Sequence, residues 1–518
     1  SQGGAMPTYL SPGVYVEETD SGSRPIEGVG TAVAAFIGLA ERGPFNKPTL
    51  ISNWTEYRKT FGGAIDGACL AESVAAYFQN GGGNSYVVRI GDGEGENGSA
   101  GTQPQLQAAP QGVLANYRVL ALDPSTPPDR IRVEITPHHN EGEEQPSGVK
   151  LVVQRDGTTV EEYPNVSTAR GKNNVATVVN AASQTVKLEQ ISGKATEELQ
   201  AGMQVALSAP AEVAVTSAPE RLSSDDYVGN VDERSGVAGL ETIDEITMVC
   251  MPDLLTAYQR GAIDLDTVQS VQTAMIAHCE LMGDRMAILD PPPGFNAQQI
   301  KEWRVDKARY DSKYAALYWP WITTGGGKYL PPSGFVAGIW GRNDDTRGVH
   351  KAPANEIVRG AIDVETTITR REHDLLNPAG INCIRAFPGR GIRVWGARTL
   401  SSDPAWRYIN IRRLFNYLEE SILTSTDWVV FEPNDYSLWA KLRRTIGAFL
   451  VNEWRRGALF GLTPDEAFYV KCDSETNPAE GIDAGEVVCE IGVAPVKPAE
   501  FVIFRLSQYS GGTSLVAE

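Results

Sequence analysis

The sequence predicts a multidomain protein of mixed α/β and α+β class, with a β-rich inserted domain and extended segments at both chain ends. Three observations lead to this fold class. The chain has 518 residues, more than one hydrophobic core usually organises. Strand and helix patterns alternate in residues 31–90 and again after residue 236, whereas residues 91–236 show short strand patterns and little helical periodicity. Runs with strand character beside proline and glycine also lie near each terminus, at 9–18 and 491–507.

The first 90 residues divide into an N-terminal arm, 1–30, and a compact α/β segment, 31–90. The arm contains Met6, a candidate initiator. In the α/β segment a small apolar run indicates a buried strand, and two helical patterns end at or just before glycine. The expected order is β-α-α-β, at residues 31–39, 53–62, 70–80 and 86–90.

Residues 91–236 are interpreted as a β-rich surface insertion. The segment opens with a glycine-rich, acidic linker at 91–100, and turn signals such as Asp156-Gly157 separate its strand patterns. Acidic residues outnumber basic residues by 21 to 11, so the outer face is expected to be solvated. Strands are expected at 130–136, 149–154, 184–188 and 212–216.

After the insertion the α/β pattern returns. A strand, a helix and a strand follow one another at 246–251, 264–281 and 285–290, the order of a βαβ unit, so a partly parallel sheet is expected. Residues 237–376 therefore join 31–90 in one α/β domain.

The rest of the chain is assigned to a C-terminal α+β domain, 377–507, followed by a C-terminal arm, 508–518. The long helical patterns and the strand-like runs of this domain alternate without a βαβ repeat. Helices are expected at 405–422 and 436–460, and strands at 393–395, 468–472, 487–491 and 501–506.

Composition and charge narrow the possible partners. The net charge of −19 argues against nucleic acid or an anionic membrane as the main partner. The apolar run at 32–40 is too short for a membrane span and lacks the positive flank of a signal peptide. The six cysteines form no C-x-x-C pair, so we expect buried, reduced thiols of a cytosolic protein. They are Cys69, Cys250, Cys279, Cys383, Cys472 and Cys489.

No motif carries a convincing catalytic, cofactor-binding or metal-binding signal. The glycine pattern at 93–98 places glutamates where a pyrophosphate would lie, and no helix pattern follows it. The Gly-rich stretch 325–328 has Tyr329 where a phosphate-binding loop needs Ser or Thr. Asp344 and Asp345 are flanked by arginines and are interpreted as an ion-paired turn. We therefore expect a protein that is not an enzyme and has no cofactor.

Seven segments, occurring in one order, together resemble the contractile tail sheath proteins of bacteriophages and related contractile injection systems. The resemblance covers 9–90 and 240–507 and leaves the insertion uncovered. The matching segments are 9–18, 34–44, 347–355, 395–400, 406–417, 431–434 and 494–501.

The resemblance implies a structural, force-producing polymer. Sheath proteins of this family stack as hexameric rings around an inner tube, and their terminal arms add strands to the sheets of neighbouring subunits. On contraction the tube is driven into a target. The implied partners are further copies of the chain, the inner tube protein, and baseplate and terminal cap proteins. No nucleic acid and no direct membrane insertion are expected, and the particle would assemble in the cytoplasm of the producing bacterium.

Two terminal segments are the candidate subunit links. The N-terminal one alternates, with Val14 and Val16 on one face, and turn residues separate it from the body. The C-terminal run is expected to complete the sheet of its own domain, with the residues after Ser507 forming the free arm. The residues concerned are Gly13, Val14, Tyr15, Val16 and Glu17 at the N-terminus, and Phe501, Val502, Ile503, Phe504, Arg505 and Leu506 at the C-terminus.

The helix predicted at 436–460 is the candidate tube-facing element. Lys441, Arg444 and Arg455 fall on the face opposite its apolar stripe, which indicates a basic surface that could meet an acidic tube. A solvated helix face is the alternative interpretation. The apolar stripe comprises Trp439, Leu442, Ile446, Phe449 and Leu450.

Two other classes of function remain open from the sequence. One is a cytosolic α/β enzyme with a β-rich accessory domain, since many active sites have no local motif. The other is a surface-binding protein of a particle, in which the insertion binds a carbohydrate or receptor. Electron microscopy separates these from a sheath, because only a sheath forms ridged hollow cylinders.

Overall fold

The computed structural model describes residues 25–91, 110–123, 129–139, 146–169, 171–191, 198–208 and 217–505. The chain forms two compact units. Asp92–Ala214 is inserted into a larger unit made of Ser1–Gly91 and Val215–Glu518.

The larger unit and the insertion together contain both long helices and many short strands. The strands of the described residues are β1 Ala34–Gly38, β2 Thr49–Ile51, β3 Ser85–Arg89, β4 Gln111–Leu114, β5 Tyr117–Ala121, β6 Ile131–His138, β7 Gly148–Arg155, β8 Thr158–Tyr163, β9 Val186–Gln190, β10 Gln204–Ala206, β11 Met248–Cys250, β12 Met286–Leu289, β13 Ala315–Trp319, β14 Ile322–Thr323, β15 Tyr329–Leu330, β16 Glu356–Ile357, β17 Asp363–Val364, β18 Ile381–Phe387, β19 Gly391–Val394, β20 Phe468–Lys471 and β21 Glu490–Val493. The α-helices are α1 Trp54–Phe61, α2 Leu70–Gln79, α3 Val175–Ala182, α4 Ser224–Val228, α5 Pro252–Gln259, α6 Leu265–Met282, α7 Ala297–Glu302, α8 Ser333–Arg347, α9 Arg370–Leu376, α10 Ile409–Ser425, α11 Tyr436–Arg455, α12 Pro464–Ala467 and α13 Ala479–Asp483.

A nine-stranded sheet organises the larger unit, in the order β16-β19-β18-β13-β12-β11-β1-β3-β2. The six strands from β18 to β3 run parallel, and the outer strands pair antiparallel. The central strands β1, β11, β12 and β13 are buried along their whole length, as expected for parallel strands covered on both faces. The predicted partly parallel sheet is confirmed.

Helices cover both faces of this sheet. In β1, Ala35 and Ile37 pack into the layer that contains α5 and α6. Ala34 and Phe36 pack into the layer of α2 and α8. The alternation of side chains along each strand thus divides the core into two layers. The mixed α/β and α+β class is confirmed.

Two predicted boundaries of the α/β domain, those after residues 236 and 376, need correction. Residues 217–236 belong to the larger unit rather than to the insertion, since Tyr227 on α4 is fully buried in the core of that unit. The boundary at 376/377 falls inside the nine-stranded sheet, because β18 pairs parallel with β13. The crossover between these two strands is long, so local sequence patterns do not show that they are neighbours.

A separate hydrophobic cluster lies under the two long C-terminal helices. α10 and α11 pack together with β20 and β21 around residues such as Leu414 and Leu450. Both helices were predicted, but they lie at Ile409–Ser425 and Tyr436–Arg455, rather than at 405–422 and 436–460.

The predicted strand at 501–506 is wrong for the residues that the structure describes. Residues 501–505 lie outside every strand of the described chain, and Leu506 lies outside the described residues. A run with strand propensity forms a strand only where a sheet edge pairs with it, and the sequence does not tell whether that edge belongs to the same molecule.

The insertion has a β-rich core of its own. Its strands form two antiparallel sheets, β10-β6-β7-β8 and β4-β5-β9, around apolar residues that include Val133 and Val153. The predicted β-rich character is confirmed. Helix α3, which packs Val175 and Val179 into this core, was not predicted. The expected strand at 212–216 lies outside the described residues.

Candidate functional site

The N-terminal segment is fixed to the body by a buried ion pair. Arg413 on α10 donates from Nη1 to Asp344 Oδ1 at 2.9 Å and from Nη2 to Asp344 Oδ2 at 2.6 Å. Thr31 donates its hydroxyl to the same carboxylate at 2.7 Å, and its carbonyl accepts from Arg413 Nη2 at 2.9 Å. The side chains of Arg413 and Asp344 are only 4% and 3% exposed. Asp344 therefore lies on α8 and pairs with α10, not within an ion-paired turn.

The residues just before Thr31 also pack onto α10. The amide of Val29 donates to Ser421 Oγ at 3.1 Å, and Ile26 and Val29 contact the cluster under the C-terminal helices. A side chain at Gly28 would collide with the hydroxyl of Tyr417. Residues 26–31, which we call the N-terminal anchor, are therefore part of the body. The predicted arm boundary at residue 30 is too late, and residues 13–17 lie outside the described residues.

The C-terminal segment is fixed by a second carboxylate. Glu500 accepts two hydrogen bonds from Arg398, from Nε and from Nη2, each at 2.8 Å. Asn377 donates to Glu500 Oε1 at 2.7 Å, and the Tyr408 hydroxyl donates to Oε2 at 2.8 Å. The side chains of Arg398 and Glu500 are 12% and 18% exposed. We call this arrangement the Glu500 socket.

The socket stabilises the ionised form of Glu500. Burial by itself raises the pKa of this carboxyl, but the hydrogen bonds from Arg398, Asn377 and Tyr408 outweigh burial and hold the pKa below its ordinary value. Burial and then Glu500 raise the pKa of Tyr408, which keeps its hydroxyl protonated as a donor. The socket is therefore a charged, hydrogen-bonded clamp at neutral pH.

Hydrogen bonds to the body fix the segment between β21 and Glu500. The amide of Ala494 donates to the carbonyl of Ala467 at 2.8 Å, and the amide of Val496 donates to that of Ala458 at 3.3 Å. Asn410 on α10 holds the carbonyl of Val496 at 3.1 Å. Residues 494–500 form the C-terminal anchor, which ends at the Glu500 socket.

Directly after the socket comes a run of exposed apolar side chains. Phe501, Val502, Ile503 and Phe504 are 71%, 67%, 78% and 84% exposed. A single exposed apolar side chain is ordinary, but four in succession form a surface that soluble monomers rarely present.

The predicted basic surface lies on α11. Asp435 caps this helix by accepting from the amide of Leu438 at 2.9 Å. Every residue of the predicted apolar stripe is buried, so the predicted orientation of the helix is confirmed. Arg444 and Arg455 are exposed and Lys441 is half-buried. Within the described ranges, none of the three forms an ion pair.

β20 and β21 form a small antiparallel sheet beside α11. Phe468 pairs with Val493 and Lys471 pairs with Glu490. No third strand pairs with this sheet among the residues that the structure describes. Two-stranded sheets are marginally stable alone.

The described residues contain no cluster of three or more His, Cys, Asp or Glu side chains placed to hold a metal ion. Five of the six cysteines are buried and Cys489 is half-buried. In the glycine-rich loop, Lys328 binds the Glu72 carboxylate at 2.5 Å and the Ala68 carbonyl at 3.0 Å. No helix in the described ranges is long and apolar enough to cross a bilayer.

Comparison with known proteins identifies the family. The model of the phage tail sheath protein central domain matches residues 228–400, and that of the phage tail sheath C-terminal domain matches 401–508. The two matches are contiguous and cover more than half of the chain. The chain belongs to the phage tail sheath family. It is thus a structural tail sheath protein, and the predicted family is confirmed.

Three sheath relatives differ in how much they share with the chain. The tail sheath protein of Burkholderia phage BcepMu is 23% identical over 521 residues, 95% of each chain. That of Vibrio phage KVP40 is 30% identical over 179 residues, 34% of this chain and 26% of the phage protein. A putative prophage major tail sheath protein of Pseudomonas aeruginosa is 26% identical over 46% of this chain and 61% of its own length. The chain thus spans less than two thirds of the last two relatives.

Solved sheath structures share the fold. The sheath of an extracellular contractile injection system, PVC, in its contracted state has a TM-score of 0.58 at 22% identity, covering 97% of this chain and 99% of that one. The contracted helical sheath of the anti-feeding prophage also has a TM-score of 0.58, at 23% identity, covering 97% and 100%.

Proposed function

We propose that the chain is the subunit of a contractile sheath, which polymerises as stacked hexameric rings around an inner tube. Contraction of the sheath drives the tube into a target. The partners are further copies of the chain, the inner tube protein, and the baseplate and terminal cap proteins. The particle assembles in the cytoplasm of the producing bacterium.

The observation that carries the proposal is the form of the C-terminal segment. A charged clamp fixes Glu500, and the next four residues expose apolar side chains. A soluble monomer gains nothing from such an arrangement, whereas a polymer can bury the run against a neighbouring subunit. The anchored segment can also transmit force between the run and the body. In this proposal residues 501–506 are buried against neighbouring subunits rather than paired within the sheet of their own domain.

The N-terminal arm is the second link. Residues 13–17 alternate in sequence and precede the N-terminal anchor, whose buried ion pair joins α8 to α10. The β20–β21 sheet, which has two strands in the described chain, is the sheet to which we assign strand addition by such a segment. Two anchored arms on each subunit would keep neighbours connected while the subunits move during contraction.

The basic face of α11 is the proposed contact with the inner tube. Lys441, Arg444 and Arg455 have no ion-pair partner in the described chain, and the net charge is −19. Each exposed charge pair with the tube would contribute roughly 0–1 kcal/mol and weaken with salt. Weak contacts repeated over many rings can hold the extended state and still release the tube.

Electron microscopy of the purified protein, alone and co-expressed with its tube protein, tests the function. We expect hollow cylinders with helical ridges. Discrete small oligomers that turn over a metabolite would contradict the proposal.

Removal of residues 6–24 tests the N-terminal link separately. The variant keeps the whole N-terminal anchor, so it should fold and remain a soluble monomer. Cylinders formed by this variant at the wild-type yield would show that the arm does not link subunits.

A further inference from the structure

A large pocket lies beside the Glu500 socket, and its walls are basic. Its volume is about 900 Å³, and its lining includes residues of α9, residues 347–355 and 395–398, and the C-terminal anchor. All of these belong to the larger unit. Six of the lining side chains are Arg or Lys, and two are carboxylates, Asp374 and Glu500. We call this cavity the basic pocket.

Part of this positive charge is unbalanced. Arg398 is neutralised by Glu500, and Lys351 pairs with Glu356 at 3.1 Å. The other four lining cations form no ion pair within the described ranges. They are Arg347, Arg370, Arg385 and Lys497.

The surroundings of these cations disfavour further positive charge. Burial and then Arg385 lower the pKa of His373, and burial and then Arg347 lower that of His350. The Nε atom of Arg385 is buried without a hydrogen-bond partner. A negatively charged ligand would supply both the missing charge and the missing acceptor.

The pocket also has an apolar side. Trp395, Phe501 and Val502 line it together with the cations, and the last two belong to the exposed run after the socket. A ligand that combines apolar side chains with adjacent carboxylates therefore fits both halves of the lining. A small inorganic anion would fill only the basic half.

We propose that the basic pocket receives the acidic end of the N-terminal arm, Glu17–Asp20, from a second copy of the chain. This inference rests on the proposed function, since it requires that the arm reaches a neighbour. Three of these four residues are carboxylates, and in an extended segment Tyr15 shares one face with Glu17, so an aromatic side chain and acidic side chains are adjacent as the lining requires. Val14 and Val16 lie on the opposite face and remain available to the β20–β21 sheet. The N-terminal arm of one subunit would thus dock beside the C-terminal anchor of another, and the two links would meet at one place.

A charge swap tests the pairing in the full-length protein. Arg370 and Lys497 are exposed, so R370E/K497E should leave the fold intact, as checked by thermal unfolding. Sedimentation and electron microscopy should show at least about fivefold less polymer, because like charges now face each other. Adding E17K/E18K to this variant should restore most of the polymer.

A matched control changes the same number of charges outside the pocket. Arg371 and Lys307 are exposed and do not line the cavity, so R371E/K307E should polymerise as the wild type does. Normal polymerisation of R370E/K497E would overturn the proposal. A loss of polymer that E17K/E18K fails to reverse would overturn the assignment of the N-terminal arm as the occupant.

A peptide measurement separates the pocket from polymerisation itself. A fluorescent peptide of residues 9–24 should bind full-length wild-type protein and bind R370E/K497E about tenfold more weakly, with the difference shrinking at high salt. Equal binding to both proteins would overturn the pocket assignment even if cylinders form. If the wild type forms no cylinders but the peptide still binds it more tightly than R370E/K497E, the sheath function is contradicted and the assignment of the pocket as the binding site is supported.

Discussion

Replacement of Glu500 by Gln tests whether the socket holds the C-terminal anchor. The amide keeps the size of the carboxyl group but removes its charge, so the guanidinium of Arg398 loses its counter-ion while 12% exposed. The new NH₂ group also faces donors where the carboxylate accepted four hydrogen bonds. We expect residues 494–500 to detach more often while the sheet and helices remain folded.

The magnitude follows from the burial of the pair. Breaking a fully buried ion pair costs about 3–5 kcal/mol, and the residual 18% exposure of Glu500 reduces this because water screens the remaining charge. We therefore expect E500Q to lower the free energy of opening of the C-terminal anchor by about 2 kcal/mol. This corresponds to a roughly 30-fold larger equilibrium constant for opening.

Hydrogen exchange measures this opening at individual amides. The amides of Ala494 and Val496 donate to carbonyls of the body, so both should exchange roughly 30-fold faster in E500Q. Buried amides of β1 should be unchanged. E480Q, which neutralises an exposed glutamate on α13, is the matched control and should behave as the wild type does.

The pH dependence supplies a second check on the same variant. Because the pKa of Glu500 is lowered in the folded protein, its contribution to the stability of the C-terminal anchor is complete at neutral pH. This contribution is lost as the pH falls below the ordinary pKa of a glutamate and through the lowered pKa of Glu500. The difference between wild type and E500Q should therefore vanish in acid. Equal exchange at Ala494 and Val496 in the two proteins at pH 7 would refute the role of the socket.

Three further changes probe other parts of the structure. D344N leaves Arg413 buried without a counter-ion and should lower the free energy of unfolding by about 3 kcal/mol. The melting temperature measured by calorimetry should then fall by roughly 4 °C, and a fall of less than about 1 °C would contradict the role of this ion pair. K441E/R444E should abolish co-sedimentation with the tube protein but leave the melting temperature unchanged, and wild-type co-sedimentation would rule out the α11 contact. Burial raises the pKa of Asp290 to about 7, so the folded protein holds a proton that the unfolded chain releases. The wild-type free energy of unfolding, measured by denaturant titration, should therefore fall by on the order of 2 kcal/mol between pH 5 and 7. An equal fall in D290N would exclude Asp290 as the cause.

Local sequence patterns predict those strands and helices whose burial imposes a periodicity on the sequence. The buried run of β1 and the apolar stripe of α11 are visible as sequence periodicity, because burial on one or both faces imposes it. The boundaries at 236 and 376 could not be predicted in the same way. Both depend on long-range packing, of α4 against the core and of β18 against β13, which no local window contains.

The contacts of the two anchors also could not be predicted from local sequence. Arg398 and Glu500 both lie in segments that carry the family resemblance, but 102 positions separate them, and no spacing rule pairs them. The sequence neighbours of Asp344 indicate an ion-paired turn, whereas its partner Arg413 lies on another helix. The strand propensity of residues 501–505 was evident, yet the sequence does not specify on which molecule the pairing edge lies.

A helical reconstruction of the assembled polymer tests whether neighbouring subunits exchange strands. We expect the β20–β21 sheet of each subunit to gain strands from terminal segments of neighbouring subunits, with residues 13–17 among them. It would be contradicted if β20–β21 remained two-stranded in the polymer, or if residues 13–17 paired only within their own subunit.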